Sequence, residues 1–261
     1  MESEQAQYAD TLASLYFAGD PHGEFDPLNE AAQSGSPVAM ILLGDYDLSE
    51  PLDKAAAGAL DATDLWWIHG NHDVDRDSYY ANLFDSALAE RNLHCRVIDI
   101  GGVRVAGLGG HFQGRIWHPH DGNGQPRFRS RNEYLHTVAP RDRWRRGLPR
   151  KVRGAIWWED VESLWDKRAD VLVTHEAPSC HPFGFSIIDD LAVAMGARVL
   201  VHGHHHVGYT FRYPSRPLTV HGVGIAGVSD GLGQPIRAGL LDAARGGELR
   251  RRMDEMHALQ W

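Results

Sequence analysis

Five short apolar runs in this chain each stop abruptly at a cluster of glycine or threonine with Asp, Asn, Glu or His. LASLYFA runs into Gly19-Asp20-Pro21-His22-Gly23, VAMILL into Gly44-Asp45, and LWWIH into Gly70-Asn71-His72-Asp73. DVLV then runs into Thr174-His175-Glu176, and RVLVH into Gly203-His204-His205-His206. Apolar runs this short, bounded by turn-forming residues, read as buried strands. Helical stretches lie between the first three, near residues 26–33 and 51–60, and a third follows at 77–91, where Tyr80, Leu83, Phe84, Ala87 and Leu88 fall at helical spacing. Strand and helix in alternation make a parallel sheet with covering helices, and such sheets gather their ligand-binding loops at the carboxyl ends of the strands. Polar clusters at five strand ends therefore imply one shared crevice.

The second half departs from this alternation. Runs at 96–100 and 103–108 are joined by Gly101-Gly102, a hairpin signal. Residues 111–154 have little periodicity and several prolines and glycines, and are expected to form an inserted cap or lid on a single domain spanning 1–261. Beyond them the pattern predicts a helix near 158–168, a strand at 171–174, a helix at 187–195 and a strand at 198–202. Three runs at 208–213, 218–228 and 236–241 are expected to pair antiparallel as a second sheet. A two-sheet sandwich flanked by helices accommodates this order of elements.

Composition removes several classes of function. A net charge of −9 argues against general coating of nucleic acid. No apolar run approaches the roughly 18–20 residues a membrane helix needs, so no membrane span is expected. The first ten residues, MESEQAQYAD, are polar and acidic and do not read as a secretory or mitochondrial leader. Cys95 and Cys180 are too few for a disulfide framework, which makes the cytoplasm the expected compartment. Histidine occurs 16 times, more than packing would explain, and its spacing points to metal.

Alternating positions such as Asp20 and His22, or His204 and His206, present both side chains to one side of an extended segment. Carboxylate oxygens and imidazole nitrogens without thiolates suit divalent ions of intermediate softness; manganese, iron and zinc all qualify. A carboxylate at the end of the second strand can bridge two such ions about 3.5–4 Å apart, an arrangement that clamps phosphate. The ordered set D-x-H, G-D, G-N-H-D, a lone H and G-H-x-H, running from residue 19 to 206, resembles the calcineurin-like metallophosphoesterase family. The resemblance implies a four-layered α/β/β/α sandwich of two mixed sheets. It implies two divalent metal ions, the first on Asp20, His22 and His206, the second on Asn71, His175 and His204, with Asp45 bridging. It further implies that His72 stabilises or protonates the leaving group, oriented by Asp73, while a metal-activated hydroxide attacks phosphorus in line. The sequence departs from the family in one place: the second acid of G-D-x-x-D comes one position early, as Asp47. That acid is not usually a ligand, so the difference bears on support of the site.

The other histidines are weaker candidates. His111 and His181 could touch substrate. His202 and His205 alternate away from the ligands, His69 reads as a satisfied core residue, and His118, His120 and His136 fall in the cap. Cys180 has no base and orienter beside it and reads as an inert thiol. The cap itself is unusual: residues 115–153 hold eleven basic residues against three acidic ones, +8 in a chain whose remainder is −17. Trp117, Phe128, Tyr134 and Trp144 are interleaved among them. Arginines suit bidentate phosphate contacts and aromatic rings suit bases, which makes Arg143, Arg145 and Arg146 candidate substrate-binding residues. The alternative is a solvated surface paired with the acidic body. The leading expectation is hydrolysis of a phosphodiester or phosphoanhydride in a nucleotide-like substrate. A nuclease using the basic cap, a phosphomonoesterase or protein phosphatase, and a non-catalytic scaffold are the competing classes.

Overall fold

The computed structural model describes residues 2–258. After α1 (Glu2–Ala13) the chain runs β1 (Leu15–Ala18), α2 (Asp26–Gly35), β2 (Ala39–Leu42), α3 (Leu52–Ala55), α4 (Ala57–Ala62), β3 (Asp64–Trp67) and α5 (Asp77–Phe84). The hairpin β4 (Val97–Ile100) and β5 (Val103–Leu108) follows, then α6 (Arg131–Thr137), α7 (Trp158–Trp165), β6 (Val171–Thr174), α8 (Ser186–Met195) and β7 (Val199–His202). The chain closes with β8 (Tyr209–Arg212), β9 (Thr219–Gly222), β10 (Val228–Asp230), β11 (Pro235–Arg237) and α9 (Asp242–Ala258).

Two mixed sheets result, in the orders β11-β10-β1-β2-β3 and β4-β5-β6-β7-β9-β8. The two-residue period of a strand sends alternate side chains to opposite faces, and here both faces are covered. Leu15, Phe17, Ile41, Val105, Val173 and Val201 meet between the sheets. Tyr16, Ala18, Met40, Leu42 and Trp67 face outward under α2 and α4. Ala106, Leu172, Leu200 and Val220 pack under α7 and α8 on the far side. Helix, sheet, sheet, helix is the four-layered order. Truncating a fully buried member such as Ile41 to alanine would cost about 2–5 kcal/mol, lost transfer energy plus cavity.

Several expectations change. The terminal strands do not make a sheet of their own. β9 runs parallel to β7 with β8 outside it, while β10 joins the first sheet antiparallel to β1 and β11 pairs antiparallel on the outer side of β10. The expected strand at 218–228 breaks after Gly222, and the segment 223–227 crosses from one sheet to the other over the strand ends, where Ala226 N–H bonds the Asp20 carbonyl. The helix expected over 77–91 stops at Phe84, because the Ser86 hydroxyl donates to the Leu83 carbonyl and competes with the helical ladder. The stretch 51–60 divides at Ala56 into two short helices. Within 111–154, Ile116, Trp117, Leu148 and Val152 are buried in the cluster beneath α7 and α8, so part of the insertion is anchored in the core. Among the described residues no helix is long and apolar enough to cross a membrane.

Candidate metal centre

The five polar clusters lie at the carboxyl ends of β1, β2, β3, β6 and β7. The backbone bends sharply there: Asp20, His22, Asp45, Asp47, His204 and His206 all have positive φ, between 33° and 69°. Left-handed backbone costs a non-glycine residue of order 1 kcal/mol or more, and such strain collects where a site requires it. Gly70 shows why glycine interrupts these clusters: a Cβ there would collide with the Asp45 carboxylate and the His175 ring.

The ligand atoms form two triads that share one residue. His22, Asp45 and His206 make the first; Asp45, His175 and His204 make the second; in each, the donor atoms all lie within 4.8 Å of one another. His22 Nε2 and His206 Nε2 face each other at 3.2 Å. Asn71 Oδ1 is 3.0 Å from His175 Nε2, and Asp45 Oδ2 is 3.4 Å from the same nitrogen. Asp20 is fully buried, with Oδ2 accepting the His204 N–H at 2.8 Å and Oδ1 3.6 Å from His175 Nδ1.

These residues fit divalent cations. Among the described residues, Asp20 Oδ1 and His204 Nδ1 are buried with no hydrogen-bond partner, an arrangement proteins avoid unless something else satisfies the atom. Burial first, and the nearby Asp45 charge second, push the Asp20 carboxyl up to about 7. Burial would lower His175, but Asp45 and Asp20 overcome it and hold the ring up to about 10, so a cation bound there would displace the ring's proton. Two carboxylates forced together out of water call for positive charge. His204 and His206 are held below the usual imidazole range, His204 at about 3, chiefly by burial. They are therefore neutral and available as ligands near pH 7.

A second ring of residues fixes the donors. Asp47, the displaced acid of the second motif, bonds His22 Nδ1 at 2.8 Å, leaving Nε2 to face the centre. Asp73 does not touch the His72 ring, contrary to the expected orienting role. Its carboxylate accepts the N–H groups of Asp45, Tyr46 and Gly70 at 3.0, 2.9 and 2.7 Å, clamping the end of β2 to the end of β3. The partner of His72 is Asp75, 2.8 Å from Nδ1, placed by the short 3-10 turn at His72–Val74. Glu176 is buried and stands 3.9 Å from His204 Nε2. The motifs left Asp75 unmarked and gave no role to Glu176, which closes the fourth cluster, because both roles depend on how a turn folds back.

His72 opens onto a cleft of about 370 Å³ walled by Asn71, His111, Gln113, Arg115 and Lys151. His111 thus stands at the centre, with Nδ1 buried and unpartnered and its pKa lowered to about 4 by burial and His175. His181 stands elsewhere, stacked on His205 at 3.8 Å in a separate cleft beside α9. The arginines singled out by sequence do not wall the His72 cleft. Arg145 pairs with Asp85 at 2.7 Å and lies over the rings of Trp144 and Tyr80. Arg143 donates to the carbonyls of Val138 and Leu135, and Arg146 is exposed. Arg143 and Arg145 thus serve to hold the insertion in shape and bind it to the body. His69 is buried, but among the described residues neither ring nitrogen has a partner, so it is not the satisfied core residue expected. His94, Cys95 and Asp160 form a further donor cluster, but Arg131 grips Asp160 through both oxygens and supplies the balancing charge there. Burial pushes the Cys180 thiol up to about 12, which leaves it unreactive.

Comparison with known proteins agrees with this geometry. The calcineurin-like phosphoesterase profile, Metallophos, matches residues 13–208. An uncharacterized protein of Haemophilus influenzae is 42% identical over 221 residues, covering 84% of this chain and 94% of the relative. The crystal structure of TT1561 of Thermus thermophilus shares the fold at a TM-score of 0.53 and 14% identity, covering 85% of this chain and 98% of that one. The chain belongs to the calcineurin-like phosphoesterase family, and membership implies metal-dependent hydrolysis of a phosphoester.

Proposed function

We propose that this protein is a dinuclear phosphoesterase acting on a phosphodiester or phosphoanhydride of a nucleotide-like substrate. The observation that carries the reading is the sharing of Asp45 between two donor triads, which gives places for two ions and a bridge between them. Asp20, His22, His206 and Asp45 would hold one ion; Asn71, His175, His204 and Asp45 would hold the other. When bound, the ions supply Lewis acidity toward a phosphoryl group and water. The chain does the rest. Asp73 fixes the backbone of Asp45, Asp47 sets the His22 ring, and the strained strand ends hold the donors in place before substrate arrives. His72, half exposed beside the donors, is placed to give a proton to the departing oxygen. Burial works against its protonation, but Asp45 and then Asp75 raise its pKa above the usual imidazole value, which favours the acid form.

The basic insertion supports a small substrate over a long nucleic-acid strand, because Arg131, Arg145 and Arg150 already pair with acids of the protein. Turnover by the manganese-loaded protein of bis-p-nitrophenyl phosphate against p-nitrophenyl phosphate tests the proposal. Faster cleavage of the diester is expected. Preference for the monoester would overturn the diester reading, and no rate on either would overturn catalysis of simple esters altogether.

A further inference from the structure

The cleft beside His72 has one wall made by the insertion, and the two cations on that wall are placed differently from the arginines that hold the insertion to the body. Arg131, Arg145 and Arg150 are paired with Asp160, Asp85 and Asp77, and Arg153 bonds the Tyr80 hydroxyl and the Trp144 carbonyl. Arg115 and Lys151 are exposed and, among the described residues, form no ion pair, yet both border the cleft that contains Asn71 and His72. Their backbones are held firmly. Arg115 is followed by Ile116 and Trp117, both buried in the core, and Lys151 by Val152, fully buried. The two loops are tied together where Gln113 Nε2 donates to the Lys151 carbonyl at 2.8 Å. Buried anchors on the inner side and a cross-tie between loops keep both cations on the cleft. Asp75 is the acid that lines the same cleft, and it is engaged by His72. His111, with its unpartnered Nδ1, lines the floor.

We propose that Arg115 and Lys151, with Gln113, form a subsite for a second anionic group of the substrate, a phosphoryl group joined to the scissile one on the side His72 faces. This deepens the phosphoesterase reading and rests on it: the substrate class becomes a compound with two phosphoryl groups near one another, such as a nucleoside diphosphate or its ester. A guanidinium and an ammonium on one wall suit the dispersed charge of such a group, the guanidinium by paired N–H donors and the ammonium as a point charge.

The test compares binding of two probes to the metal-loaded protein by calorimetry at fixed free metal: AMP, and the α,β-methylene analogue of ADP, which cannot be cleaved between its phosphoryl groups. The wild type should bind the analogue about tenfold more tightly, the return on an added set of charge-assisted hydrogen bonds. Arg115→Ala/Lys151→Ala should bind the two probes alike, and the charge-keeping Arg115→Lys/Lys151→Arg should retain most of the preference. Equal binding of both probes by the wild type would overturn the subsite, as would a preference that survives in the double alanine variant. Binding, not turnover, is read, so the two proposals fail separately. A preference for the analogue without hydrolysis of any ester would sink the enzyme and keep the subsite; hydrolysis of simple diesters without the preference would do the reverse.

Discussion

His72 differs from the histidines around it in being half exposed and bonded through Nδ1 to Asp75, while its own N–H on the backbone reaches Asp45 Oδ1 at 2.8 Å. The side chain is thus free to act on substrate while the backbone steadies the shared carboxylate. His72→Ala should keep metal binding and slow turnover by ~10²–10⁴-fold, the usual loss with a general acid. The loss should shrink for substrates whose leaving groups need little protonation. Loss of metal in that variant would show that His72 is a ligand. Asp75 gives a second check. Its charge helps keep the ring protonated, so Asp75→Asn should lower the pKa of His72 and move the alkaline limb of the kcat/KM profile to lower pH. An unmoved limb would mean that another group supplies the proton. Much at this scale was legible in advance, since D-x-H and G-H-x-H at strand ends announce their donors by position. The supports were less so. Asp73 lies next to His72 in sequence, but the turn swings its carboxylate onto three backbone amides instead.

Elements marked by a short bounded apolar run or by helical spacing were readable, and those without a pattern were not. β6 follows from its apolar run and α8 from its helical spacing. α1 and α9 gave no comparable signal: α9 carries Gly246-Gly247 and a run of charged residues, with Gly246 and Met253 its buried positions. The crossing of the chain from β9 in one sheet to β10 in the other was invisible too, because a glycine-rich turn does not say which sheet it enters. β9 brings a testable cost. His221, buried in that strand and bonded to Thr210 Oγ1 at 2.9 Å, has its pKa lowered to about 4 by burial and then by Arg212. A histidine depressed in the folded state contributes stability above its unfolded pKa, near 6.5, that is lost as pH falls toward 4. The slope from this one group reaches about 1.4 kcal/mol per pH unit. His221→Gln should therefore flatten the fall in urea midpoint between pH 6.5 and 4. Parallel falls in the wild type and variant would show that His221 takes up its proton without unfolding.

Across the whole molecule the charge is divided between a basic insertion and an acidic body, and the structure joins them. Asp77 and Asp85, on and just after α5, receive Arg150 and Arg145, and Trp144 Nε1 bonds the Asp77 carboxylate. Sequence alone exposed the imbalance but not its use, since pairing across 60 or more residues depends on the fold. Arg115 and Lys151 are the cations that line the cleft with Asn71 and His72, next to a centre built from both sheets. Counting bound ions tests whether that centre holds two. Elemental analysis of manganese-loaded, desalted protein should find about two ions per chain. Asp45→Asn, which keeps the shape and removes the shared charge, should weaken both sites together. A stable maximum of one ion in the wild type, or an Asp45→Asn protein that still holds two as tightly, would contradict the shared-carboxylate centre.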